Sequence, residues 1–211
     1  MPARAPRAPG PATPAIAMTS SKGYSVIEFL FVTSLCLTLG AIAVPQTLAG
    51  LDDIRAESAA RYVATRLQRA RMEAVMHSAA VAVQFTQTAG GFTYAMYVDG
   101  NRNGVLARDI QRGADRRLGA VERLPDQFPG VDFGALLGLP AVDSGSAPPG
   151  SDPIRLGAGN VVSFSATGTA SPGSIYIRGR GTAQFVVRIL GVTGKTRVLK
   201  FDGRSRLWKP L

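Results

Sequence analysis

The residues best equipped for chemistry are few. Asp99, Asn101, Asn103 and Gly104 reproduce the opening of a D-x-N-x-N-G calcium loop, in which carboxylate and carbonyl oxygens meet a hard cation and glycine allows the turn. The twelfth position of such a loop needs a bidentate Glu and is Ile110 here, with Asp109 one residue early. Asx and Gly residues also build turns without metal, so Asp99, Asn101 and Asn103 are a weak calcium candidate and neither metal nor other cofactor is expected. Asp52 and Asp53 are adjacent carboxylates, but they follow an apolar run and read most simply as its solvated boundary. One Cys (Cys36) and one His (His77) exclude an intramolecular disulfide framework, cysteine zinc clusters and His-pair metal motifs. Gly157-Ala158-Gly159 continues as Asn-Val-Val, which breaks the dinucleotide fingerprint, and neither a P-loop nor a G-x-S-x-G elbow is present. An enzyme is not expected.

Charge points elsewhere. The formal net charge is +10, and it is concentrated in residues 154–211, where ten Lys and Arg face a single acid, Asp202. A clustered basic segment suits a polyanion, an acidic protein surface or anionic lipid headgroups. Within it, Gly203-Arg204-Ser205-Arg206 precedes Trp208. On a strand, Arg204 and Arg206 would project to one face, Gly203 would permit close approach, and Trp208 would offer a stacking surface for bases.

These groups need a scaffold, and the periodicity supplies one. Residues 29–51 carry no charge and would span roughly 34 Å as a helix, enough for a hydrocarbon core of about 30 Å. From Asp52 to His77 the pattern turns one-sided, with Val63, Leu67, Ala70 and Ala74 on one face. One helix over 24–77, bent at Pro45, is therefore expected. Period-two alternation then predicts a hairpin, Val81, Val83 and Phe85 returning through Phe92, Tyr94, Met96 and Val98. A loop-rich insert is expected over 111–154, with a short strand near Val121, and further strands over 161–165, 174–178, 183–190 and 196–201. The fold class is α+β: a long N-terminal helix, transmembrane and then amphipathic, packed on a mostly antiparallel sheet over 52–211.

Lys22-Gly23-Tyr24-Ser25-Val26-Ile27-Glu28, ahead of the apolar run, resembles the processing site of type IV prepilins and type II secretion pseudopilins. The resemblance implies a leader over 1–23, cleavage between Gly23 and Tyr24 by a prepilin peptidase, and N-methylation of Tyr24. It also implies that Glu28, at the fifth mature position, pairs with a neighbour's N-terminal amine during assembly. Tyr24, Val26 and Phe29 replace commoner apolar residues, and Met18 offers a start that leaves a six-residue leader. Arg61 to Val75, containing Ala70-Arg71-Met72-Glu73-Ala74, resembles the helix of the pseudopilin H (GspH/FimT) group, and the Asp99 loop resembles the group's D-x-N-x-N/D-G element. Both likenesses imply a non-catalytic minor pseudopilin or pilin with a pilin-like fold. Its partners would be other pilins or pseudopilins of the filament. It would be single-pass in the inner membrane, with the globular domain in the periplasm. Gly203, Arg204 and Arg206 match a G-R-x-R pattern of FimT-like minor pilins, which implies DNA as a further partner; a basic face for an acidic subunit is the alternative. A conventional signal cut at Ala41-Ile42-Ala43, releasing an unrelated periplasmic protein, is the other competing reading.

Overall fold

The computed structural model describes residues 23–157 and 159–211. The leader, Gly23 apart, and Ala158 lie outside them. The described residues fall into two compact units that divide between Ala43 and Val44. Helix α1 is Val26–His77, and the Ser25 hydroxyl accepts the Ile27 N–H in the manner of an N-cap. In the first unit its side chains face outward, with Phe29, Phe31 and Leu37 each more than three-fifths exposed. Among the described residues such a surface has no hydrophobic partner. Among the described residues α1 is the one helix long and apolar enough to cross a membrane.

In the second unit α1 presents a stripe of small side chains. Ala56, Ala59, Ala60, Val63, Ala64, Leu67, Ala70 and Ala74 are buried at three- and four-residue spacing, the period that keeps residues on one face. Two antiparallel sheets supply the bulky partners. In chain order the elements after α1 are β1 (Val81–Thr88), β2 (Gly91–Val98), α2 (Ala107–Arg112), β3 (Arg116–Arg123), α3 (Leu124–Gln127), β4 (Asp132–Phe133), β5 (Ile154–Arg155), β6 (Val161–Phe164), β7 (Gly173–Arg178), β8 (Gln184–Ile189), β9 (Thr196–Asp202) and β10 (Leu207–Pro210). The smaller sheet runs β3-β2-β1-β6 and the larger β10-β9-β8-β7-β4, with β5 also on β7. The α+β class with a long helix on antiparallel sheet is thus the observed one. Val83, Phe85 and Tyr94 from the smaller sheet and Phe185, Val187 and Ile189 from the larger join the helix stripe in one core, as the alternation predicts.

The stretch expected as loop-rich, 111–154, holds β3, α3 and β4. It also does something the alternation alone does not reveal. Leu139 packs with Tyr176 and Val186 on the far face of the larger sheet, flanked by Leu136, Val142, Phe201 and Trp208. A sheet with both faces covered needs apolar residues at consecutive positions, and β7 and β8 are buried almost throughout.

Candidate functional site

Gly23 and Tyr24 stand just ahead of the helix, and Tyr24 is 88% exposed. Glu28 occupies the first turn of α1, where a carboxylate meets the positive end of the helix dipole. Tyr24 and Glu28, four residues apart, line one shallow groove with Phe29 and Val32. Gly23, Tyr24 and the Glu28 carboxylate are all exposed.

The basic motif is placed differently from its expectation. Residues 203–206 are not on a strand but form the turn between β9 and β10, and Arg206 adopts a left-handed φ of 54°. The reason is Asp202, whose carboxylate accepts the Arg204 N–H at 2.9 Å, the Ser205 hydroxyl at 2.9 Å and the Lys209 ammonium at 2.5 Å. This is Asx-turn chemistry. Lys209 first, then the Arg204 amide and the Ser205 hydroxyl, hold Asp202 well below the usual carboxylate range. Arg204 is exposed, whereas the Arg206 guanidinium donates to the Gly138 carbonyl at 2.8 Å. Trp208 is no free stacking surface: its indole N–H donates to the Pro140 carbonyl, and its ring packs on Tyr176 and Phe201.

Asp52 and Asp53 are not simply a solvated boundary either. The Asp52 carboxylate accepts the backbone N–H groups of Arg180 (3.0 Å) and Gly181 (2.9 Å) in the β7–β8 turn. A Cβ on Gly179 would come within 2.7 Å of that carboxylate, which explains glycine there. Asp53 pairs with Lys200 at 2.6 Å. The apolar run therefore ends at two ties to the sheet, and nothing in spacing alone points to partners some 130 residues away.

The Asp99 loop is held by its own amides. Asp99 accepts the N–H groups of Asn101, Arg102 and Gly104, and Asp115 accepts those of Gly100 and Leu106. The Asn101 side-chain oxygen accepts the Asn103 N–H, and the Asn103 amide donates to Asp109; that last bond, above all, lowers the Asp109 pKa. Gly100 passes so close to the Ala114 carbonyl that a Cβ would collide with it. The carboxylates thus have their hydrogen-bond partners within the loop, and among the described residues no cluster of three or more His, Cys, Asp or Glu is arranged for a metal.

A further polar centre leaves no signal in the sequence. Glu122 on β3 accepts from the Tyr62 hydroxyl (2.7 Å), the Tyr94 hydroxyl (3.1 Å) and Arg66 Nε (3.2 Å), and forms an ion pair with Arg66. It ties α1 to the smaller sheet beside a cavity of about 200 Å³. Burial, and then Tyr62, raise the Tyr94 phenol above its ordinary range. Hydrogen bonds and an ion pair there account for the groups as structure.

The family model for type II transport protein GspH matches residues 59–193. The chain belongs to the GspH family. That match starts in the amphipathic half of α1 and runs through β8, so GspH-family membership rests on the packed domain and is independent of the Gly23 motif. The chain is also 37% identical over 83 residues to pilin-like protein PilA1 of Thermus thermophilus, covering 39% of this chain and 51% of that one. It spans about half the length of that relative. No solved structure matches.

Proposed function

We propose that this GspH-family chain is a non-catalytic pseudopilin, a subunit of a short type II secretion filament. It is anchored in the inner membrane by residues 29–51, with the domain in the periplasm. The reading is carried by one observation: an exposed Gly23-Tyr24 bond and an exposed Glu28 stand ahead of an apolar helix surface that the other described residues leave uncovered. Prepilin peptidase cuts after Gly23, Tyr24 is N-methylated, and Glu28 meets the N-terminal amine of a neighbouring pilin or pseudopilin. An unpaired carboxylate in hydrocarbon costs roughly 2.5–3.5 kcal/mol at mid-membrane, so a cationic partner gives Glu28 a register-setting role. Mass spectrometry of the mature protein is the test. N-methyl-Tyr24 is expected, Gly23→Val should leave the leader attached, and Glu28→Ala should be cleaved yet absent from filaments. A mature chain starting at Val44 would replace this reading with a conventional signal peptide. Normal filament levels of Glu28→Ala would refute the pairing.

A DNA-uptake role has less support. The Arg204/Arg206 pair sits in a turn and not on one strand face, and Trp208, the expected stacking surface, is packed on Tyr176 and Phe201.

A further inference from the structure

We infer that the end of the globular domain formed by the β7–β8 and β9–β10 turns docks on an anionic lipid surface. The two turns close the same end of the larger sheet, since Phe185 pairs with Lys200 and Leu207 with Asp202. The Asp52 bonds to Arg180 and Gly181 fix that end at the level of the first charged residue after the apolar run. A groove of about 790 Å³ brings Ala49, Asp52, Gly181 and Gly203 together there.

The charge left unmatched at this end is positive. Asp53 is paired with Lys200 and Asp202 with Lys209, whereas Asp52 accepts two neutral amides and keeps its negative charge. Asp132, cross-strand from Arg178, accepts the Phe133 N–H and is the second carboxylate here without an ion pair among the described residues, so the positive balance comes from Arg178, Arg180, Arg204 and Arg206 against Asp52 and Asp132. Arg178, Arg180 and Arg204 are exposed and have no ion pair among the described residues. Arg206 gives one N–H to a carbonyl and keeps its charge. On the helix beside them, Leu48 and Leu51 are exposed, as a segment passing from hydrocarbon to headgroups would be. Each arginine near an anionic leaflet strengthens docking about fivefold.

Lys195 and Arg197 are exposed too, but at the other end of β9. Seven residues of strand put them roughly 20 Å away, about two screening lengths at physiological salt. Position, and not the total charge of the segment, selects the docking end.

The inference rests on the proposed anchoring, and the experiment separates the two. Full-length protein is placed in nanodiscs of phosphatidylcholine alone or doped with phosphatidylglycerol, each carrying a headgroup spin label that quenches Trp208, the single tryptophan. Incorporation into both discs with stronger, salt-sensitive quenching in the anionic ones is expected. Arg178→Gln/Arg180→Gln/Arg204→Gln should weaken docking about a hundredfold, returning quenching to the zwitterionic level, while Lys195→Gln/Arg197→Gln should leave it unchanged. Equal quenching in both discs, or a triple variant like wild type, would overturn the docking and leave the anchor standing. Failure to enter either disc would overturn both. Loss of quenching on adding stoichiometric duplex DNA would assign the turns to nucleic acid and also overturn the lipid assignment.

Discussion

Replacing Glu122 with Ala should destabilise the domain by about 2–3 kcal/mol. The carboxylate accepts two tyrosine hydroxyls and the Arg66 guanidinium, and hydrogen bonds to a charged group contribute about 1.5–3 kcal/mol each. Adding them would overshoot, because the carboxylate also gave up hydration to reach its site. The Glu122 and Arg66 side chains are 14% and 27% exposed, and water in the neighbouring cavity can partly solvate an abandoned partner. The net should therefore fall below the roughly 3–5 kcal/mol typical of breaking a fully buried pair. Glu122→Gln keeps an acceptor for the tyrosines and should cost about 1 kcal/mol. Urea titration followed by Trp208 emission reports global unfolding from β10, well separated in sequence from β3. Arg66→Ala should cost a similar amount, and the double variant about 1–2 kcal/mol less than the sum. A cost for Glu122→Ala under about 0.5 kcal/mol, or a coupling indistinguishable from zero, would mean that this network does not hold α1 to the smaller sheet.

Leu67 is 1% exposed in the main core, so Leu67→Ala should cost about 2–5 kcal/mol in the same titration; a value near zero would remove this helix face from the core. Asp132 has its pKa raised, chiefly by burial, so the folded state binds its proton more tightly than the unfolded chain. Its ionisation then weakens folding as pH rises through the acid range. Asp132→Asn should flatten that slope and raise the melting temperature at neutral pH, and a lower melting temperature would contradict the sign. Residues 52–211, freed of the apolar run, should sediment as a soluble monomer; a stable dimer would refute this.

The long elements are legible because their periods are strong. Helix α1 ends at His77 as expected, and β6 to β9 fall within two residues of the runs read from alternation. Strand β10 escapes because four residues ending in Pro210 carry little pattern, and without it the turn that holds Arg204 and Arg206 reads as strand. Leu136, Leu139 and Trp208 follow no period, since each is placed by the far face of a sheet whose existence depends on pairings elsewhere. Asp52, Asp115 and Glu122 share another reason. A carboxylate that binds distant backbone amides or phenols looks, in one dimension, like any solvated charge. The Gly23 motif is the opposite case, legible because all its residues are consecutive in the chain.

The order in which strands join the core sets when the domain can form. Strand β1 pairs with β6 across about eighty residues, Val81 lying opposite Phe164. The helix stripe is covered in part by Ile175, Ile177, Phe185, Val187 and Ile189, all more than a hundred residues further along the chain. Closing such long loops precedes the burial that rewards it, which slows folding. As the polypeptide is made, Ala56, Val63 and Leu67 emerge more than a hundred residues ahead of their later partners. The nascent amphipathic helix therefore stays sticky until β7 and β8 have been made, and truncation before β8 should yield aggregate instead of a smaller folded domain.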